Sequence, residues 1–183
     1  MENTFVVTGK VRFSYVSVFQ PRKSEDNSDP RYELTLLIPK SDKKTYNAIM
    51  KASDAAAQKG KAKFGDKWPS KPKNTLKDGD GYKESGDEYG PECKGHWVLR
   101  ASSKSKPQVV DRDRNDILDP TEVYSGCYGR ASINFYPFVV PSNKGVTAGL
   151  QNVQKLADGE ALGGGRTTAA NDFADDWDDD DEI

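Results

Sequence analysis

The sequence predicts a mainly β fold, a small bent barrel with one surface helix, long loops and a separate acidic tail. Three observations predict it. Apolar and polar residues alternate with period two near both ends of the chain, and one stretch between them has helical spacing. Only 34% of residues are hydrophobic and 31% are charged, with 16 Gly and 10 Pro, so the core must be compact and much of the chain must be loop. An ordered part of about 165 residues fits one domain.

From Phe5 to Phe19 the alternation places Val7, Val11, Phe13 and Tyr15 on one face and Thr8, Lys10, Arg12 and Ser14 on the other. Gly9 interrupts this long strand, and its phase slips where Val16 and Val18 become apolar, which predicts a bulge or sharp bend. Gln20 to Pro30 is a polar, proline-bounded loop. Arg31 to Ile38 is a second strand with Tyr32, Leu34, Leu36 and Ile38 on one side, stopped by Pro39. Ser41 and Asp42 cap a weakly amphipathic helix over Lys43–Lys63, where Tyr46, Ile49, Met50 and Ala57 recur. Gly65–Lys94 is rich in Lys, Pro and Gly and reads as irregular and partly mobile, a binding or disordered loop. Strands return at His96–Ala101, Gln108–Asp111 and Val123–Phe138, and Val146–Leu156 is the last. In Val123–Phe138, Cys127, Gly129, Ala131, Ile133 and Phe135 share the core face. Tyr124, Tyr128, Arg130, Ser132, Asn134 and Tyr136 share the other.

Charge divides the chain. Eight carboxylates and no cation lie in Asp172–Ile183, so all 27 Lys and Arg face the other 21 acids within residues 1–171, a body net charge of +6. The acidic run has few residues to bury and should be disordered when free. Residues 1–157 thus form the expected domain, and 158–183, with its GGG at 163–165, a flexible linker and acidic interaction tail. Phe173 and Trp177, set among Asp175, Asp176, Asp178, Asp179, Asp180, Asp181 and Glu182, suit a partner contact better than a solubilising run. A tethered tail of this charge would compete with phosphates for the body's lysines and arginines.

Catalysis is poorly supplied. His96 is the one histidine, and there is no phosphate-binding Gly-rich loop, no HExxH and no Cys–x–x–Cys. Cys93 and Cys127 have no metal-ligand spacing and read as free thiols, so neither a metal nor a cofactor is expected. DRDRND at 111–116 reads as a solvated charged loop, and no apolar run reaches the ~20 residues that span a bilayer, so no membrane partner is expected.

Binding fits better. Aromatics lie beside cations at Arg12 and Tyr15, Arg31 and Tyr32, Lys67 and Trp68, Trp97 and Arg100, and Tyr128 and Arg130. Single-stranded nucleic acid needs this combination, because bases stack on rings at about 1–3 kcal/mol each while Lys and Arg follow the phosphates. Tyr124, Tyr128, Arg130 and Tyr136 make a platform on one strand, and Trp68 has little evident core to enter. Two other classes compete. One is an acidic-tailed interaction protein or chaperone without single-strand specificity, and the other is an RNA-binding protein.

YSGCYGRASINFYPF, followed by NKGVTAGLQNVQKLADGEALGGG, resembles the single-stranded DNA-binding proteins of tailed bacteriophages, in particular those of enterobacteria. GKVRFSYVSVFQPR, YELTLLIPKSD, LKDGDGY and the acidic tail extend the resemblance over nearly the whole chain. It implies an OB-fold, a five-stranded Greek-key barrel with a helix among its strands. It also implies a non-enzymatic role in the cytoplasm of the bacterial host, coating single-stranded DNA during replication, recombination and repair. The tail would recruit a DNA polymerase, helicase or primase, and a weak homodimer is a further partner expectation. Better-known relatives end on phenylalanine, whereas this tail ends on Ile183.

Overall fold

The computed structural model describes residues 3–23 and 29–162. The strands are β1 (Phe5–Val7), β2 (Val11–Arg22), β3 (Arg31–Pro39), β4 (Lys73–Asn74), β5 (Leu76–Asp78), β6 (His96–Ser103), β7 (Gln108–Val110), β8 (Tyr128–Val140) and β9 (Asn143–Ala157). One α-helix, α1 (Lys43–Phe64), lies between β3 and β6. Antiparallel pairings join β8 to β2, β2 to β3 and β3 to β6, a short parallel pairing joins β6 to β9, and β9 returns antiparallel to β8. The circuit closes on five long strands. That is the OB architecture, with β1 as a broken extension of β2 along β8 and β4, β5 and β7 as short additions.

The alternation in β3, β6 and β8 fills the barrel as its period demands. Leu34, Leu36 and Ile38 meet Leu99, Ala101, Ile133 and Phe135 in one buried cluster, with Phe13 and Val153. Gly129 is required by this packing, because a Cβ there would stand 2.5 Å from the Phe13 ring and 2.2 Å from the Gln154 carbonyl. Cys127 is buried with the core and Cys93 lies under the outer surface, both as free thiols.

The first long strand departs from the expected phase at two places. Val6 and Thr8 are buried while Val7 is exposed, so the strand changes phase at Gly9, and only then do Val11 and Phe13 point inward. A second break follows at Tyr15, which has φ 46° and is exposed, where the β2–β3 register shifts between Ser14 and Ser17. Val7 and Tyr15 therefore leave the core face, because a bulge moves later side chains to the other side. In β3, Thr35 and Leu37 are buried as well as the expected face, since a loop covers the outer surface there.

Asp42 caps α1, accepting from the Thr45 amide at 3.0 Å and from its hydroxyl at 2.6 Å. Gly65, with φ 53°, ends it by donating its N–H to the Lys61 carbonyl. Ile49, Ala52 and Ala56 turn inward, and small residues at the contact let the helix lie close to β8. Gly65–Lys94, expected to be irregular, holds β4, β5 and two 3₁₀ turns, at Gly65–Lys67 and Pro91–Cys93. Lys40 pins it: its Nζ donates to Asp78 at 2.6 Å and Asp80 at 2.7 Å. Asp158–Leu162, expected to begin the linker, lies against the body, with the Leu162 amide donating to the Ser125 carbonyl at 2.8 Å. No helix among the described residues is long and apolar enough to cross a membrane.

Candidate nucleic-acid interface

The outer face of β2, β3 and β6 is built from the residues between the core positions. Register aligns Ser14, Thr35 and Arg100 in one row and Leu37 with Val98 in the next. The turn at Pro91–Cys93 and the segment before it stand over this face and close one side, leaving a groove of about 690 Å³. Ser14, Thr35, Leu37 and Val98 line its floor, Arg22, Lys23, Lys83 and Arg100 bring cations to it, and Tyr15 and Tyr89 bring rings. Glu33 and Glu92 are its acids, and Arg100 donates to the Glu33 carboxylate. Burial pushes the Cys93 thiol at the groove wall above its ordinary pKa, so it is a weak nucleophile there.

The Tyr15 ring reaches the groove because of the bulge. A non-glycine residue in the left-handed region is costly, and such strain concentrates where a side chain must be aimed. Lys83 stands 5.7 Å from the centroid of the Tyr89 ring, and burial holds the Tyr89 hydroxyl above its usual pKa. In an OB-fold the face of the second and third barrel strands, here β3 and β6, is where oligonucleotides lie.

The expected site residues fall on several surfaces. Tyr15 and Arg100 line the groove, and Arg31 sits opposite Arg22 at its end, with Tyr32 half-buried beside it across from Ser103. Arg12 and Tyr128 pair across β2 and β8, with the guanidinium 5.6 Å and the Lys10 ammonium 5.1 Å from the ring centroid. Arg12 is also engaged by the chain beyond β9, donating to the carbonyls of Gly126 at 3.2 Å and Glu160 at 2.6 Å. Gly159 lies so close to Tyr128 that a Cβ on it would stand 2.7 Å from the ring. The Tyr124 hydroxyl donates to Asp158 at 3.0 Å and accepts from the Gly159 amide at 3.1 Å, and the Lys155 ammonium lies 5.5 Å from its ring. Arg130 and the exposed Tyr136 share the outer face of β8, where Arg130 donates to the Gln154 side chain.

Trp97 and Arg100, neighbours in sequence, lie on opposite faces of β6. Trp97 stacks on Tyr46 of α1 at 4.8 Å with Lys40 over its ring. Trp68 has a core to enter after all: it is half-buried against Phe64, at 6.0 Å between ring centroids, and over Gly60, whose missing side chain opens the slot. Lys67 is exposed next to it. Phe173, Asp175, Asp176, Trp177, Asp178, Asp179, Asp180, Asp181 and Glu182 lie outside the described residues.

Residues 4–183 match the family model described as Enterobacter phage Enc34, ssDNA-binding protein. The chain belongs to that family. Among solved structures, the single-stranded DNA-binding protein from bacteriophage Enc34 in complex with ssDNA is 30% identical, with a TM-score of 0.70 over 87% of this chain and 90% of that one. A protein, p50, of Acyrthosiphon pisum secondary endosymbiont phage 1 is 30% identical over 179 residues, 90% of either chain. The single-stranded DNA-binding protein gp2.5 of bacteriophage T7 shares the fold, with a TM-score of 0.60 over 92% of this chain and 99% of that one, at 13% identity. The Enc34 family is one of binding proteins, not enzymes.

The pairing of neighbouring rings and cations in sequence overlooked Tyr89, Lys83, Arg22 and Lys23. Tyr89 sits between Glu88 and Gly90, and its cation comes from six residues earlier through the loop's own fold. Arg22 and Lys23 carried a signal, as two adjacent cations inside the expected loop Gln20 to Pro30, but β2 runs on to Arg22 and so brings them to the end of the groove.

Proposed function

We propose that the chain binds single-stranded DNA without sequence preference, the strand crossing the outer face of β2, β3 and β6. Tyr15 and Tyr89 stack on bases, and Arg22, Lys23, Lys83 and Arg100 take phosphates. The observation that carries this reading is the convergence of two rings and four cations on one groove, over the barrel face that OB-folds give to oligonucleotides. The Enc34 relative in complex with ssDNA supports the substrate class. Arg31 extends the basic track at one end, and Arg12, Tyr128, Arg130 and Tyr136 offer a continuation along β8. Trp68 and Trp97 support the barrel from the helix side.

In this reading residues 1–157 are the binding domain, and the acidic tail is a handle for a replication protein such as a DNA polymerase, helicase or primase. Work in the host cytoplasm, on strands exposed during replication, recombination and repair, follows from the same role. The test is a fluorescence titration of the full chain with oligo(dT), oligo(U) and a duplex of equal length. Tight binding of oligo(dT) with quenching, and much weaker binding of duplex, is expected, because duplex hides the base faces. Equal affinity for strand and duplex overturns the proposal, and preference for oligo(U) reassigns the groove to RNA.

A further inference from the structure

The outward face of α1 is basic and offers no ring. The helix carries six lysines and one acid, Asp54. At about 100° per residue Lys43, Lys44, Asn47, Lys51, Gln58 and Lys61 share one stripe with Asp54 and Met50, and all are exposed. None of the four lysines has an ion-pair partner among the described residues. The rings of the helix, Tyr46 and Phe64, are stacked on Trp97 and Trp68 instead. We propose, resting on the groove reading for the strand itself, that this stripe binds duplex DNA, so that the chain seats where a single strand in the groove runs into a base-paired stretch.

The chemistry of the stripe selects the ligand. Cations without rings contact phosphates and do not distinguish paired bases from free ones. Such a face gains most where phosphates are densest, and a duplex presents about one charge per 1.7 Å of its axis, twice the density of either strand. Lys43 and Lys61 stand about 27 Å apart along the helix, room for several phosphates of one duplex. Asn47 and Gln58 add amide donors between them. A protein partner fits less well. Protein interfaces are enriched in Arg and aromatic anchors and depleted in Lys, whereas this stripe has four lysines, no arginine and only Met50 as an apolar spot.

β2 links the stripe to the groove. Ser14 lines the groove floor, and Arg12 and Lys10 follow it back along the strand, both beside the Tyr128 ring. The next residue, Gly9, donates its amide to Thr45 Oγ1 at 2.9 Å in the first turn of α1. Five residues of chain from Ser14 to Gly9 span at most about 17 Å. DNA leaving the groove over Arg12 and Lys10 thus arrives at Lys43 and Lys44, the near end of the stripe. Without rings the stripe holds a blunt duplex only weakly, and it contributes fully once the groove has fixed the adjoining strand and raised the effective concentration of the duplex.

Anisotropy titrations of the full chain against three labelled DNAs test this: a duplex with a single-stranded oligo(dT) tail, the same oligo(dT) alone, and the blunt duplex. The tailed duplex should bind more tightly than oligo(dT) alone, with a log–log salt slope steeper by about 0.9 for each lysine that takes a duplex phosphate. Replacing Lys43, Lys44, Lys51 and Lys61 by Gln should remove that increment and leave oligo(dT) affinity and the melting temperature nearly unchanged. Asp54→Asn should enlarge the increment, a gain that damage to the fold does not mimic. A tailed duplex bound no more tightly than oligo(dT), or an increment untouched by the four replacements, would overturn the proposal. Oligo(dT) alone reads the groove. Should it fail to bind, the groove assignment falls, and the effect of the four replacements on blunt-duplex binding still decides for or against the stripe.

Discussion

Arg100 and Glu33 hold each other at the groove, with the carboxylate mostly buried and the guanidinium exposed. A strand that takes Arg100 must exchange the carboxylate for a phosphate, so Glu33 sets a cost on binding. Glu33→Gln should therefore raise affinity for oligo(dT) at low salt, with the gain shrinking as salt rises. Unchanged affinity would mean that the phosphates pass Arg100 by. Arg100→Ala and Tyr89→Ala should each weaken binding, by about 1–3 kcal/mol for a stacking ring, with the melting temperature nearly kept. Phe135→Ala, by contrast, empties a buried site and should cost about 3–5 kcal/mol of stability. Thermal melts and titrations on the same variants separate the two classes. Trp68→Ala belongs with the second, since its ring fills the slot over Gly60.

The elements show how much the sequence disclosed. The core faces of β3 and β8 and the helix with its Asp42 cap were legible, because period two and period 3.6 are set by the residues' own geometry. The two breaks in the first long strand were visible as phase errors, but their consequence for Val7 and Tyr15 was not, since a bulge is located by pairing with β3. Trp97 and Arg100 stand three apart in one strand, an odd spacing that puts them on opposite faces, so pairing them by proximity overlooked the alternation, whereas the slot that Gly60 opens for Trp68 is a tertiary feature that no local pattern shows. The bulge makes its own prediction. With Tyr15 at φ 46°, Tyr15→Gly should be more stable than Tyr15→Ala by about 1 kcal/mol, because glycine alone adopts that region freely, while both lose the ring and bind DNA less well. A more stable alanine variant in denaturant titrations would show that the strand is not bent there as described.

The segment at Asp158–Leu162 responds to acid in a defined direction. A hydrogen bond from Lys155, then one from Tyr124, holds the Asp158 carboxyl below its usual 3.8. A lowered carboxylate contributes while pH stays above the unfolded value, and the contribution disappears as pH falls through the folded one. Hydrogen exchange at Gly159 and Leu162, relative to unstructured rates, should thus be protected at neutral pH and lose protection below about pH 3.8. Protection that persists through that range would place the hold on this segment in Arg12 and the backbone alone.

At the scale of the whole molecule, a basic body and an acidic tail give opposite charges to two ends of one chain, and the barrel keeps two basic surfaces apart. One is the groove on β2, β3 and β6, and the other is the outer face of α1. Salt and strandedness together test strand binding by the groove. In one buffer the full chain is titrated with a 30-mer single strand and with its duplex, then the single-strand titration is repeated at rising salt. Much tighter single-strand binding, quenching of protein fluorescence, and a log–log salt slope that becomes shallower when Arg22, Lys23, Lys83 and Arg100 are replaced by Gln are expected. Equal affinity for strand and duplex, or a slope untouched by those four replacements, would contradict it.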